Sequence, residues 1–89
     1  MAERGDPGEV TFSGLLMMVG TTGMVQLGVA SDPASGEKRA DLDGAKQTIE
    51  LLDVLKGKTA GNQTASESAL LEELLFGLRM RYVEARKQG

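Results

Sequence analysis

The chain has 89 residues, 40% of them hydrophobic and 3% aromatic, with a formal net charge of −3. That length holds one domain and excludes a second, because single cores occupy roughly 50 to 200 residues. Neither cysteine nor histidine occurs, which excludes disulfides, thiol nucleophiles, imidazole bases and Cys/His zinc sites, and the interleaving of acids with bases leaves no electrostatic footprint for nucleic acid.

A core of this size contributes only a few kcal/mol, about 3 to 5, by itself. With disulfides and zinc excluded, oligomerisation is the remaining common source of added stability. The aromatic residues are Phe12, Phe76 and Tyr82, so aliphatic side chains and methionines must fill the core. Leu, Met, Ala, Glu, Lys and Gln favour helix, and the supply of strand-favouring residues is thin.

Residues 1 to 9 carry Gly5, Pro7, Gly8 and three acids with almost nothing apolar, which predicts a disordered N-terminal segment. Charged residues at the start and no small-x-small cleavage pattern after the apolar run argue against a signal peptide. The lack of cysteine fits a reducing compartment, so a cytoplasmic location is expected.

From Val10 to Ala30 no residue is charged. This stretch predicts a first helix over 13 to 30, with Ser13 as N-cap. Phe12, Leu16, Val19, Gly23 and Leu27 share one face; Leu15, Met18, Thr22, Val25 and Val29 a second; Met17, Gly20, Thr21, Met24 and Gly28 a third. A helix apolar on every side is enclosed by protein or by lipid. Gly14, Gly20, Gly23 and Gly28 each cost about 1 kcal/mol of helix propensity relative to alanine, so close approach of another helix is expected to compensate. A membrane span satisfies the length criterion of about 20 residues, but glycines, hydroxyls and Gln26 interrupt it, and neither an aromatic belt nor a basic cluster flanks it. A buried helix at a subunit interface is the preferred reading, with membrane insertion of 10 to 30 as the alternative.

Pro33 and Gly36 mark a surface loop. Asp41 then caps a second helix over 41 to 57, whose stripe of Leu42, Ala45, Ile49, Leu52 and Leu55 is widened by Leu51 and Val54. Gly57, between Lys56 and Lys58, is predicted as its left-handed C-terminal residue. Thr64-Ala-Ser-Glu67 is a capping box opening a third helix over 65 to 86, followed by a short tail, 87 to 89. Leu71, Leu74, Leu75, Leu78 and Tyr82 form one apolar face of this helix, and Phe76, Met80 and Val83 form another. One antiparallel neighbour cannot cover both.

The candidate chemistry has plainer explanations. Glu72 and Glu73 are consecutive and project about 100° apart on a helix, so they cannot face one point. Asp41 and Asp43 lack the remaining ligands of a calcium loop. Gly20-Thr-Thr-Gly23 lacks the Lys-Ser/Thr of a phosphate loop. Asn62-Gln-Thr64 matches a glycosylation triplet, but Thr64 is better explained as a cap. Met17, Met18, Met24 and Met80 suit an adaptable groove as well as gap filling in a core. A small enzyme relying on Arg79, Tyr82 and carboxylates is a third reading, which needs a sealed site to unite them.

The order Phe12-Ser13, Leu27-Gly28, Asp32-Pro33, Ala45-Lys46-Gln47-Thr48-Ile49 and Leu78-Arg79-Met80-Arg81-Tyr82 resembles a small bacterial family catalogued as domain of unknown function 1844, over about Val10 to Ala85. The resemblance implies a short single domain without established activity. Where members of that family often carry histidine before the Leu-Gly pair, this chain has Gln26, which suits hydrogen bonding within or across helices.

The expectation is therefore an all-α domain, 10 to 86, in which helices 2 and 3 form an antiparallel hairpin. Helix 1 packs on the hairpin and on its counterpart in another subunit. The expected function is a non-enzymatic interaction or assembly module, a homo-oligomer with a dimer first, or an accessory subunit beside an unidentified protein. No cofactor, metal or nucleic acid is expected. The expected interaction residues are Phe12, Leu16, Val19, Gly20, Gly23, Gln26, Leu27, Phe76, Met80 and Val83.

Overall fold

The computed structural model describes residues 10 to 88. The predicted disordered segment, 1 to 9, and Gly89 lie outside the described residues. Three helices make up the fold, α1 (Phe12–Gln26), α2 (Leu42–Lys58) and α3 (Ala65–Gln88), with no strand among the described residues. Each helix packs against both others. Ion pairs from Lys56 to Glu72 and from Asp53 to Arg79 place the end of α2 beside the start of α3, so α2 and α3 run antiparallel, as expected. Gly20 lies against Leu74 and Gly23 against Leu78, so α1 and α3 run in the same direction.

α1 begins one residue earlier than predicted. Thr11, in an extended conformation, is the N-cap, and its hydroxyl oxygen accepts from the Gly14 N–H at 2.9 Å. The helix also stops four residues short of Ala30. The Gly28 N–H donates to the Val25 carbonyl at 3.0 Å and the Val29 N–H to the Met24 carbonyl at 3.1 Å. With Gly28 at φ +80°, this is a Schellman closure, which needs a left-handed residue just past the helix end. Gly28 therefore terminates α1; it is not a packing glycine.

The loop from 27 to 41 folds back onto that end. Asp32 organises it, accepting from the Ala34 and Gly36 N–H groups, and the Asp41 N–H donates to the Gln26 carbonyl at 2.6 Å. Asp41 then caps α2, accepting from the Gly44 N–H at 3.0 Å. The predicted stop at Gly57 is corrected, because α2 runs through it to Lys58. Thr59 follows as C-cap, and its hydroxyl donates to the Leu55 carbonyl at 2.6 Å. The Gln63 amide donates to the Lys56 carbonyl at 3.3 Å and to Thr59 Oγ1 at 2.7 Å. These side chains add donors to carbonyls in the last turn of α2, and the positive φ falls at Gly61.

The capping box at α3 forms as the residues predict. The Thr64 N–H donates to Glu67 Oε1 at 2.8 Å and the Glu67 N–H to Thr64 Oγ1 at 3.1 Å. α3 continues to Gln88, so Lys87 and Gln88 of the expected tail are helical.

The core holds Leu16, Leu27, Ala45, Ile49, Leu52, Leu71, Leu75 and Leu78. Each buried leucine contributes about 1.5 to 3 kcal/mol. The ion pairs along the outer α2/α3 seam are half-exposed and add at most about 1 kcal/mol each.

Candidate functional site

The structure divides the expected interaction residues into two groups. Leu16, Gly20, Gly23 and Leu27 are buried within their own chain, and Phe12 and Val19 pack half-buried against the same core. A Cβ on Gly20 would come to 2.8 Å from Leu74 Cδ2, and one on Gly23 to 3.1 Å from both Leu78 methyls and 3.3 Å from Thr48 Cγ2. Gly20 and Gly23 do admit close neighbours, but these are α3 and, at Gly23, also Thr48 of α2 in the same chain, whereas Gly14 meets only its own N-cap Thr11. Leu16, Gly20, Gly23 and Leu27 of this face are taken up by packing within the chain, while Phe12 and Val19 stay half-exposed.

Gln26 holds α1 to α2. Its Oε1 accepts from the Thr48 hydroxyl at 2.5 Å, and Thr48 is the one polar side chain buried in the described core. Its Nε2 stands 2.8 Å from where a Cβ on Gly44 would lie, so the glycine makes room for the amide. Gln26 thus makes a cross-helix hydrogen bond inside one chain.

Phe76, Met80 and Val83 form the second group, 69%, 53% and 50% exposed. Leu71, Leu75 and Leu78 turn inward from the same helix. Spacings of four and three put the exposed triad on one face, roughly opposite the core. Glu72, Arg79, Glu84 and Lys87 border it. The two apolar faces read from α3 are both real, and α1 and α2 cover only one of them.

Other apolar side chains also reach the surface. Leu51 and Val54, expected to widen the buried stripe of α2, are exposed, as are Leu15 and Met18 of α1. Met17, Gly20, Thr21 and Met24 face Leu74, Gly77 and Arg81 across a shallow groove of about 300 Å³ between α1 and α3. Two of the four methionines considered for a groove therefore share one, while Met80 lies on the outer α3 face.

The polar candidates resolve into structural partners. Arg79 pairs with Asp53, and Glu72 with Lys56 at 2.6 Å. The Arg86 guanidinium lies 5.8 Å from the centre of the Tyr82 ring, within cation–π range. Asp41 is a helix cap. Among the described residues no three carboxylates cluster in a way that could hold a metal ion. No helix among them is long and apolar enough to cross a membrane: the 15 residues of α1 rise about 22 Å against a hydrocarbon thickness of about 30 Å. The spanning alternative loses its premise with the early end of α1.

Residues 9–84 match the family model described as Domain of unknown function (DUF1844). No curated protein matches the chain, and no solved structure does.

Proposed function

The chain belongs to the DUF1844 family, and we propose that it is a non-enzymatic helical assembly module that works as a homo-oligomer, a dimer first, and can serve as an accessory subunit of a larger complex. The family carries no assigned activity, so the reading rests on the molecule's own surface. The observation that carries it is the apolar outer face of α3, where Phe76, Met80 and Val83 stand exposed on a helix whose other face is already buried. Full burial of such side chains is worth about 1.5 to 3 kcal/mol each. In a two-fold assembly each counts twice, which is large beside the few kcal/mol, about 3 to 5, expected of so small a core.

The non-enzymatic part of the proposal is supported by the lack of histidine and cysteine and by the engagement of Arg79, Glu72 and Asp41 in the fold itself. A cytoplasmic setting is part of the same proposal, supported by a cysteine-free sequence.

Sedimentation equilibrium over micromolar concentrations tests the proposal. A concentration-dependent dimer is expected. A stable, fully helical monomer throughout that range overturns it.

A further inference from the structure

Resting on the homo-oligomeric reading above, we infer that the occupant of the outer α3 face is α3 of a second copy, laid antiparallel across a two-fold axis that passes beside Met80. The face is isologous under that operation, as a two-fold interface must be. Met80 meets Met80, and Phe76, four residues before the axis, comes within one residue of level with the second copy's Val83, three residues after it, so the three exposed apolar side chains of each copy close over one another.

Charge sets the direction. α3 is acidic at its start, with Glu67, Glu72 and Glu73, and mostly basic toward its end, where Arg79, Arg81, Arg86 and Lys87 accompany one acid, Glu84. In the antiparallel arrangement centred on Met80, Glu73 of one copy lies level with Lys87 of the other, seven residues to either side of the axis. Among the described residues neither Glu73 nor Lys87 has an ion-pair partner within the chain, whereas Glu72 and Arg79 are held by α2. A parallel pairing instead sets acid against acid and base against base, which is unfavourable at this separation. Opposed helix dipoles favour the same direction.

The chain contains no cysteine, so single introduced cysteines report the register in the full-length protein. Met80→Cys, Glu73→Cys and Lys87→Cys all lie on the exposed side of α3, and circular dichroism verifies that each variant keeps its helicity. A short bis-maleimide is expected to link Met80→Cys to itself in most molecules. Glu73→Cys alone and Lys87→Cys alone should link several-fold less, because each stands about 21 Å from its own counterpart, 14 residues at about 1.5 Å apiece. In an equal mixture of Glu73→Cys and Lys87→Cys random pairing makes about half of the dimers mixed, so linking should reach about half of the Met80→Cys yield.

Efficient self-linking of Glu73→Cys would overturn the antiparallel register in favour of a parallel one. A sedimenting dimer in which Leu15→Cys or Leu51→Cys links and none of the α3 cysteines does would overturn the α3 pairing while leaving the assembly reading intact. A helical wild-type monomer at all micromolar concentrations would overturn both.

Discussion

Gly20 of α1 lies so close to Leu74 of α3 that a Cβ at position 20 would come to 2.8 Å from Leu74 Cδ2. The two glycines at this contact differ in what they touch, and so in what they tolerate. Leu74 is half-buried, and the atom met is the free end of its side chain, which can rotate away. Gly23 is wedged between both methyls of Leu78, itself 2% exposed, and Thr48. Alanine gains about 1 kcal/mol of helix propensity at either position, while overpacking costs about 1 to 3 kcal/mol. Gly20→Ala is therefore expected to change stability by less than about 1 kcal/mol, and Gly23→Ala to lower it by up to about 2 kcal/mol. Gly20→Leu should unfold much of the population. Urea denaturation followed by circular dichroism measures all three.

The Gln26 to Thr48 hydrogen bond predicts an asymmetric pair. Gln26→Ala removes the acceptor from a buried hydroxyl, at a cost of about 1 to 2 kcal/mol. Thr48→Val leaves the half-buried Gln26 amide able to reach water, and should cost less. The double variant Gln26→Ala/Thr48→Val should be more stable than the sum of the two losses implies, by roughly 1 kcal/mol in a double-mutant cycle. Additive losses would show that the bond does not couple α1 to α2.

Two glycines should respond in opposite directions. Gly28 has φ +80°, so Gly28→Ala should destabilise by about 1 to 2 kcal/mol, and Gly28→Asn by less. Gly57 is helical, exposed and meets nothing within 4 Å of an added Cβ. Gly57→Ala should stabilise by about 0.5 to 1 kcal/mol. Thermal unfolding midpoints of the two variants, compared with wild type, check the signs.

Two of the three helix N-caps were legible in the residues because their chemistry is local, while that of α1 is Thr11 and not the expected Ser13. Asp41, and Thr64 with Glu67, satisfy neighbouring backbone groups whatever the rest of the chain does. The periodicity of α2 and of the Leu71 to Tyr82 face of α3 likewise led to the right hairpin. Gly28 and Gly57 were harder, since a glycine near a helix end suits both a left-handed cap and continued helix. Which reading holds depends on partners such as Thr59 and Gln63 several residues away. Gly20 and Gly23 correctly signalled close approach, but a glycine stripe does not say whose helix approaches. The loop from 27 to 41 turns the chain so that α1 meets its own α3, a relationship absent from any local window. The second apolar face of α3 was legible from spacing alone, and it is the part of the expected interaction set that the fold leaves exposed.

The most direct test of the assembly reading is sedimentation equilibrium of wild type beside Met80→Glu, with helicity measured on the same samples. Position 80 is surface-exposed, so the substitution should change monomer stability by no more than about 0.5 kcal/mol. At the centre of a two-fold contact it would bury two like charges. A micromolar dimer is expected for wild type and a fully helical monomer for Met80→Glu. Equal dimerisation of both proteins, or a helical monomer for both, would contradict the assembly reading.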